Sequence, residues 1–389
     1  MIADGVNNTT SITKVGAGTQ TFSGTNTYTG TTTINAGTLQ IGAAGTLGSG
    51  SYSGAITNNA TFIYSGTSAQ TLSGVISGTG DLVKNTASTL TLSGANTYTG
   101  TTTVNAGTLA LGANQDIGSI AGAGALNLSS HTLTTNASSD TTYSGIISGA
   151  TGALTKNGTG TLTLSGTNTY SGATTVNAGT LAVSGNIANS GLVINSGGII
   201  SPGTTAAVDS FGTSSITING GGYNWTLSTA NGSAGTGYDQ ITSTGALTSS
   251  GALTVYVLGN ATGWDGSASY DWDIFDANTV SGFSAGNFSV DLTNFGIVGG
   301  DRLGDWTFSE QAGGIIRLSY APSSDPAWAG GSNTFSGGFS PTANDGDSVF
   351  FAGAGGGTAT NDSITSLGNM TFMSGAGAYT VAGNAFAVT

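Results

Sequence analysis

The 389-residue chain carries 18 acidic and five basic side chains, so its net charge is −13 and only 6% of its residues are charged. This negative charge argues against binding to nucleic acids or to anionic lipid surfaces. Glu, Lys and Arg, which favour exposed helices, are nearly absent, whereas Thr and Val favour strands, so an all-β protein is expected.

A unit of about 30 residues occurs three times in the first half of the chain. Its copies are KVGAGTQTFSGTNTYTGTTTINAGTLQIG from Lys14, KNTASTLTLSGANTYTGTTTVNAGTLALG from Lys84 and KNGTGTLTLSGTNTYSGATTVNAGTLAVSG from Lys156. Apolar residues alternate within the copies, as Leu162 and Leu164 do in TLTLSG, and this period predicts short strands rather than a disordered linker. Such self-similarity is typical of a solenoid, in which each unit buries its apolar face against its neighbours.

Glycines lie at the ends of these predicted strands, for example Gly166, Gly172 and Gly179 in the third copy. Turns this short leave no room for crossover helices, so successive strands must coil into rungs of about 20 to 25 residues that pair in parallel. The sequence therefore predicts a parallel β-helix, also called a β-solenoid.

Equivalent side chains in the three copies either carry a function or only support the fold. They are the lysines Lys14, Lys84 and Lys156, the asparagines Asn26, Asn96, Asn168, Asn35, Asn105 and Asn177, and the tyrosines Tyr28, Tyr98 and Tyr170. We interpret the lysines as exposed corner residues that keep strand edges soluble, rather than as a ligand-binding row. The asparagines are predicted to hydrogen-bond the backbone of their own turns, and the tyrosines to be half-buried packing residues rather than a sugar-stacking strip.

The unit LTLSGxNTYxGxTTVNAGTL resembles the passenger-associated transport repeat, also called the autotransporter-associated β-strand repeat, of bacterial autotransporter passengers. The resemblance spans about 30 residues in each copy. It implies a right-handed parallel β-helix that is secreted across an outer membrane and displayed on it. Residues 1–200 are accordingly expected to form a β-helix with three passenger-type repeats.

The composition changes after Ile200, because all four prolines and all five tryptophans lie beyond it. The stretches GGIISPGTT from Gly197 and GGYNWTLSTANGS from Gly221 resemble the segment that follows these repeats in the same family. Residues 201–320 are therefore predicted to form a more irregular, aromatic-richer β section, which is either a wider β-helix or sandwich-like. Residues 321–389, which open on the proline-containing APSSDPAWAGG, resemble the start of a further passenger segment.

The chain contains no cysteine, which fits export in an extended form, because no disulfide can lock the chain prematurely. No run approaches the roughly 18 apolar residues of a membrane helix, and MIADGVNN lacks the layout of a signal peptide. We therefore expect a mature piece or a fragment of an exported protein, with no membrane span in the chain itself. The order of its segments suggests a window of a tandem array, or copies that stack end to end into a fibre.

Few residues are candidates for chemistry. His131 is the only histidine, and nothing in the sequence places a carboxylate or an elbow serine beside it, so a solvated or packed histidine is expected. The sequence NDGDS at residues 344–348 is interpreted as turn chemistry. We predict no catalytic residue, no metal ligand and no cofactor.

The acidic stretch DGSASYDWDIFD is the best local candidate for a carboxylate site; it holds Asp265, Asp271, Asp273 and Asp276. Strand alternation puts Asp271 and Asp273 on one face, with Trp272 and Ile274 on the other. Such a pair could bind Ca²⁺ or supply an acid for catalysis, but a solvated strand face is the favoured interpretation.

The leading functional hypothesis is a non-enzymatic structural segment of a secreted or cell-surface adhesin or stalk. A glycan-binding module is the alternative, and exposure of Trp225, Trp264 or Trp272 would favour it. A polysaccharide-degrading β-helix is the third hypothesis, with little support because Arg302 and Arg317 are the only arginines. The expected partners are further copies of the chain, surface glycans or other cells, and the expected location is extracellular, at a bacterial cell surface.

Overall fold

In a computed structural model the chain folds almost entirely into short β-strands. The structure describes residues 1–204, 207–296 and 304–322 and, beyond Pro322, only the backbone of eight short strands. Within this part of the chain there is no α-helix, and 3₁₀ turns cover Gly48–Gly50 and Ala285–Asn287. None of the described residues form a helix long and apolar enough to cross a membrane.

A central sheet of thirteen strands runs along the molecule, and its order follows the order of the chain. Its strands are Thr19–Phe22, Thr38–Ala43, Thr61–Gly66, Asp81–Lys84, Thr101–Val104, Ser119–Gly122, Thr141–Tyr143, Thr161–Leu164, Gly179–Val183, Gly198–Pro202, Gly221–Thr226, Leu253–Leu258 and Phe288–Asp291. All neighbouring pairs are parallel. Each strand therefore pairs with the strands one turn earlier and one turn later.

A second face consists of a six-stranded sheet followed by a five-stranded sheet. The first contains Ser51–Tyr52, Gln70–Leu72, Thr89–Leu92, Thr108–Leu111, Ala125–Asn127 and Ile147–Ser148. The second contains Ser210–Thr213, Gln240–Ser243, Tyr270–Asp276, Ile315–Pro322 and Gly304–Gln311, and its last two pairings are antiparallel.

A third face consists of a four-stranded sheet followed by an eight-stranded sheet. The first contains Ile12–Lys14, Thr32–Ile34, Ile56–Asn58 and Ile76–Ser77. The second contains Gln115–Ile117, Thr132–Thr135, Ala153–Lys156, Thr174–Val176, Gly191–Ile194, Ser215–Ile218, Ala246–Ser249 and Thr279–Ser281. The chain thus coils around three sides, and the predicted all-β parallel solenoid is confirmed.

Eight further strands lie beyond Pro322 and pair in parallel in small sheets. They are Ala327–Trp328, Asn333–Thr334, Val349–Phe351, Gly357–Asn361, Ser366–Leu367, Met370–Phe372, Tyr379–Gly383 and Ala387–Val388.

The length of a rung differs between the two halves. In the third repeat copy Leu162 pairs with Leu181, one turn and 19 positions later. In the second half Gly222 pairs with Thr254, 32 positions later, and Thr254 with Ser289, 35 positions later. The extra residues form long excursions between strands, so the section after residue 200 is more irregular, as the sequence predicted.

Apolar residues alternate between inside and outside along the strands. In Thr161–Leu164 the two leucines are buried, whereas the two threonines are half-buried on the outer surface. Full burial of a leucine stabilises the fold by roughly 1.5–3 kcal/mol, and each rung gains it only when its neighbours are in place. The core is therefore one continuous column of buried side chains.

Corner glycines allow the rungs to stack closely. A Cβ at Gly94 would lie 2.4 Å from the carbonyl oxygen of Gly74, and a Cβ at Gly74 would lie 2.2 Å from that of Gly54. No real Cβ approaches a carbonyl oxygen so closely, so any side chain would force the rungs apart.

The three repeat copies do not occupy equivalent faces. Lys14 and Lys156 lie in strands of the third face, whereas Lys84 lies in the central sheet. The interval between copies is not a whole number of turns, and the second copy is rotated by one face. Equivalent residues of the three copies therefore cannot form a row along the rod.

Candidate functional site

The repeat lysines are buried, so the prediction that they are exposed corner residues is wrong. Lys84 and Lys156 are 0% and 3% exposed, and Lys14 is 9% exposed. Each is the last residue of its strand and occupies an inward-facing position. Alternation counted from Leu82 or Leu154 places the lysine inside, whereas the usual preference of charged residues for the surface predicts the opposite.

Backbone carbonyls of two successive turns hold each lysine ammonium. The Nζ atom of Lys14 donates to the carbonyl oxygens of Gly16 at 2.7 Å and Ala36 at 3.0 Å. The other copies repeat the arrangement, with Lys84 bound to Thr86 and Ala106, and Lys156 bound to Gly158 and Ala178. The second carbonyl always belongs to the Asn-Ala-Gly turn of the next rung, so the lysine ties that turn to the turn before it.

No carboxylate neutralises these lysines, because Arg317 is the only cation in a salt bridge within the described part of the chain. Burial lowers the pKa of Lys84 and lowers the pKa of Lys156 to about 8, whereas the charge of Asp140 raises the pKa of Lys156. A buried charge that is held mainly by carbonyl dipoles has a desolvation cost, and the hydrogen bonds to the turns offset it.

Asn26, Asn96 and Asn168 are buried and also connect rungs. Their Oδ1 atoms accept the backbone N–H groups of Ile2, Ile76 and Ile147, at 2.9, 2.6 and 2.9 Å. The Nδ2 atoms of Asn26 and Asn168 donate to carbonyls of their own turns, as predicted, whereas that of Asn96 donates to the side chain of Gln115. Ile2 occupies in the first copy the place that Ile76 and Ile147 occupy in the others.

The second asparagine set does not hydrogen-bond its own turns, which corrects that prediction. A ladder of side-chain hydrogen bonds instead begins at the carboxylate of Asp116, and each Nδ2 donates to the Oδ1 of the preceding member; the amides in it are those of Asn136, Asn157, Asn177, Asn195 and Asn219. Asn105 likewise donates to Asn85 at 2.8 Å. Asn35 makes no side-chain hydrogen bond with the described residues. Parallel rungs bring such amides to about 4.8 Å of one another, which is the spacing that amide ladders need.

The repeat tyrosines are fully buried rather than half-buried, which is a second correction. The hydroxyls of Tyr28, Tyr98 and Tyr170 hydrogen-bond the Oγ1 atoms of Thr32, Thr102 and Thr174, at 2.8, 2.5 and 2.6 Å. Desolvation raises the pKa of Tyr170 to about 12, although the hydrogen bonds to its hydroxyl act in the opposite sense. A buried ring offers no face to a sugar, so packing remains the interpretation of these residues.

The acidic strand Tyr270–Asp276 alternates as predicted, with Asp271 exposed and Trp272 and Ile274 buried. Arg317 on the neighbouring strand bridges the two carboxylates. Its Nε atom donates to Oδ1 of Asp273 at 2.7 Å, and its Nη1 atom lies 3.6 Å from Oδ2 of Asp271. The two carboxylates therefore pair with Arg317, a cation of the chain itself.

Tryptophans of the second half form an aromatic cluster rather than an open groove. Trp225 and Trp272 are buried, and their indole N–H groups donate to backbone carbonyls at 2.8 and 2.9 Å. Trp264 is partly buried and stacks on Trp306 at 5.7 Å between ring centroids, with 8° between the ring planes. Tyr320 contacts Trp264 at 4.6 Å. The cluster joins the antiparallel strands to the end of the solenoid.

Asp239 is a buried carboxylate that sequence reasoning missed. Its Oδ1 atom accepts the backbone N–H of Asp209 at 2.8 Å, and its Oδ2 atom accepts that of Thr226 at 2.7 Å. Burial raises the pKa of Asp239 to about 7, although these N–H donors lower it. The sequence signal that identifies it is its position directly before the strand Gln240–Ser243, because alternation places Asp239 on the same inward side as Ile241.

The remaining candidates are not brought together. His131 is half-buried in the turn before Thr132–Thr135, and Asp265 caps its own turn by accepting the backbone N–H of Ser267 at 2.9 Å. No group of three acidic or histidine side chains that could hold a metal ion occurs among the described residues. Arg302 and the NDGDS sequence at residues 344–348 lie outside them.

Residues 12–41, 82–111 and 154–183 each match the family model of the passenger-associated-transport-repeat. Each match contains the buried lysine, asparagine and tyrosine described above, together with the Asn-Ala-Gly turn. No curated protein and no solved structure matches the chain. The chain therefore contains three passenger-associated-transport repeats, the repeats of autotransporter passengers.

Proposed function

We propose that the chain is a non-enzymatic stalk segment of a secreted or cell-surface adhesin. The repeats and the β-solenoid fit an autotransporter passenger domain, and that family implies a secreted or cell-surface protein. The observation that carries the proposal is the central sheet, which continues through thirteen parallel strands from Thr19 to Asp291. At about 4.8 Å per rung these strands span about 60 Å along one axis.

Stiffness follows from how each rung is tied to the next. Four kinds of hydrogen bond run along the axis and connect successive rungs. They are the backbone ladders, the bonds from each lysine to two turns, the bonds of the buried asparagines, and the amide ladder. Bending the rod would break several of these hydrogen bonds in one step. The limits at residues 200 and 320 remain proposed, and the central sheet continues through residue 200.

The absence of catalysis is part of the proposal, and the placement of the acidic residues supports it. Asp271 and Asp273 are engaged by Arg317, and Asp239 is enclosed between backbone N–H groups. A glycan site built on Trp225 and Trp272 has no support, because both rings are buried. Partnership with further copies of the chain, end to end at a bacterial cell surface, is a second element of the proposal.

Deletion of whole turns of the solenoid tests the stalk. Leu162 holds the register position of Leu82 four turns later in the central sheet, so removal of residues 82–161 joins Asp81 to Leu162 without rotating the remainder onto another face. We expect a folded rod shorter by about four rungs, roughly 20 Å, in electron micrographs and in solution scattering. The native protein that carries the deletion should still reach the cell surface and hold its distal part closer to the cell.

Two outcomes would contradict the proposal. A compact globule of unchanged dimensions would show that the units do not stack along one axis. An unchanged distance between the cell surface and the distal part of the native protein after the deletion would show that the segment does not act as a stalk. Filaments of the native material much longer than one rod would support assembly between copies, and strictly single short rods would contradict it.

A further inference from the structure

An open groove of about 370 Å³ lies on the outer face of the central sheet, beyond the repeats. It is lined by Ile199, Asn224, Tyr256, Leu258 and Asn294. The first four residues come from three successive strands of the sheet, and Asn294 comes from the turn after the last strand. A groove of this size is within the range of small-molecule sites, and it is lined mainly by apolar surface with a few polar groups.

Tyr256 is the aromatic residue of this groove. In Leu253–Leu258 the residues Leu253, Val255 and Val257 point inward, so Tyr256 projects from the outer face. A Cβ at Gly222, one rung earlier, would lie 2.6 Å from Cε2 of the Tyr256 ring. The ring therefore leans across Gly222 against the backbone, in a position that only glycine allows. A ring braced in this way loses little conformational freedom when a ligand binds to it.

Two primary amides flank the ring. Asn224 is the register partner of Tyr256 on the preceding strand. Asn294 lies in a turn in which the backbone N–H of Phe295 donates to the carbonyl of Leu292 at 3.0 Å. Within the described residues neither amide makes a side-chain hydrogen bond, in contrast to the amides of the asparagine ladder. Each therefore offers both donors and an acceptor to a ligand.

We propose that this groove binds a neutral oligosaccharide. A pyranose ring has a face of C–H bonds that packs on an aromatic ring, and its hydroxyls donate and accept hydrogen bonds at the edge. Tyr256 supplies the first surface, and Asn224 and Asn294 supply the second. This site differs from one built on the tryptophans, and it does not depend on the stalk function.

Charge selects neutral over acidic sugars. Asp291 is the register partner of Tyr256 on the following strand, and no basic residue lines the groove. The net charge of −13 adds a general repulsion of anions. A uronic acid or sialic acid polymer would therefore bind more weakly than a neutral chain of the same length.

Calorimetric titration of the full chain with four tetrasaccharides tests the proposal. The probes are maltotetraose, cellotetraose and tetraacetylchitotetraose, which are neutral, and tetragalacturonate, which is acidic. We expect at least one neutral probe to bind with a Kd of about 1 mM or tighter, and tetragalacturonate to bind at least about tenfold more weakly. Tyr256→Ala should weaken that binding at least about tenfold, whereas Tyr256→Phe, which keeps the ring, should stay within about threefold.

Matched variants separate binding from folding. Tyr256→Leu keeps an apolar cover over Gly222 without an aromatic face, so it should fold normally and lose binding. Thr254→Ala changes the same strand face outside the groove and should bind as the unaltered chain does. Absence of binding by all three neutral probes, or equal binding by Tyr256→Leu and the unaltered chain, would overturn the proposal.

Discussion

The repeat region and the aromatic section share one central sheet but are stabilised in different ways. In the repeats, polar side chains are buried in the interior: lysines bind turn carbonyls, and asparagines bind backbone groups of the neighbouring rung. In the second half the interior is filled by aromatic rings, of which Trp272 contacts Trp225 at 5.4 Å and Trp306 at 5.6 Å. The first region adds recurring hydrogen bonds between rungs to its apolar core, and the second adds large aromatic rings to it.

Rung length explains this difference. Turns of nearly constant length bring the side chains of successive rungs above one another, so the amide contact recurs along the ladder and each buried lysine reaches the turn of the next rung. Turns that lengthen from 19 to 35 residues cannot keep that register. The aromatic section instead fills its interior with large side chains and ends in antiparallel strands, which follow a different register from the parallel rungs.

The largest expected effect is that of Trp272→Ala. This buried ring stacks with several aromatic neighbours and donates to the carbonyl of Ala230. Its removal should lower the free energy of unfolding by about 3–5 kcal/mol. Hydrogen exchange should show that amide protection falls mainly in the aromatic section, while Thr89–Leu92 in the repeats stays protected. Equal loss of protection in both regions would contradict a difference between them.

Gly94→Ala should have the next largest effect, because it disturbs the stacking of rungs in the repeats. The added Cβ would lie 2.4 Å from the carbonyl oxygen of Gly74. We expect a loss of about 1–3 kcal/mol in denaturant unfolding, the usual cost of overpacking. The matched control is Gly18→Ala, because a Cβ there meets nothing within 4 Å. Similar stability of both variants would show that the close contact between corner glycines is unimportant.

Much of the fold could be predicted from the sequence, because strand alternation and repeat spacing are local signals. The inward positions of Leu162 and Leu164, and those of Trp272 and Ile274, followed from a period of two. The same period also placed Lys84 inside, but a lone buried lysine contradicts the usual preference of charged residues for the surface. Its carbonyl partners lie on two different rungs, so its environment depends on how the rungs stack.

Contacts between rungs could not be predicted for the same reason. The amide ladder requires that Asn157 and Asn177 face each other, which depends on the length of a turn to the residue. The groove at Tyr256 requires three rungs of unequal length to be aligned, and Asp239 acquires its partners from a long excursion of the chain. Sequence reasoning identified the units, but not the faces on which they lie.

The two regions should respond to pH in opposite directions. Burial raises the pKa of Asp239 from 3.8 to about 7, so its contribution to stability is present below pH 3.8 and is lost as the pH rises through 7. Burial lowers the pKa of Lys156 from 10.5 to about 8, so its contribution is present above pH 10.5 and is lost as the pH falls through 8. Urea unfolding should therefore show stability that falls between pH 4 and 7 and rises between pH 8 and 10.

Substitution separates these two effects. Asp239→Asn should flatten the acidic part of the profile, and Lys156→Met should flatten the alkaline part, whatever each does to the absolute stability. A profile of the Asp239→Asn variant that keeps the acidic slope would assign that slope to other carboxylates.

The smallest expected effect concerns the amide ladder. Asn177 donates to Asn157 at 2.8 Å and accepts from Asn195 at 2.6 Å, so Asn177→Ala removes two hydrogen bonds at a partly exposed corner. Water replaces much of what is lost there, and we expect a cost of about 1 kcal/mol in denaturant unfolding. Asn35→Ala is the matched control, because Asn35 holds the same repeat position without a side-chain hydrogen bond among the described residues. Its cost should stay below about 0.5 kcal/mol, and equal costs at the two positions would mean that the ladder adds nothing to the stability of the rod.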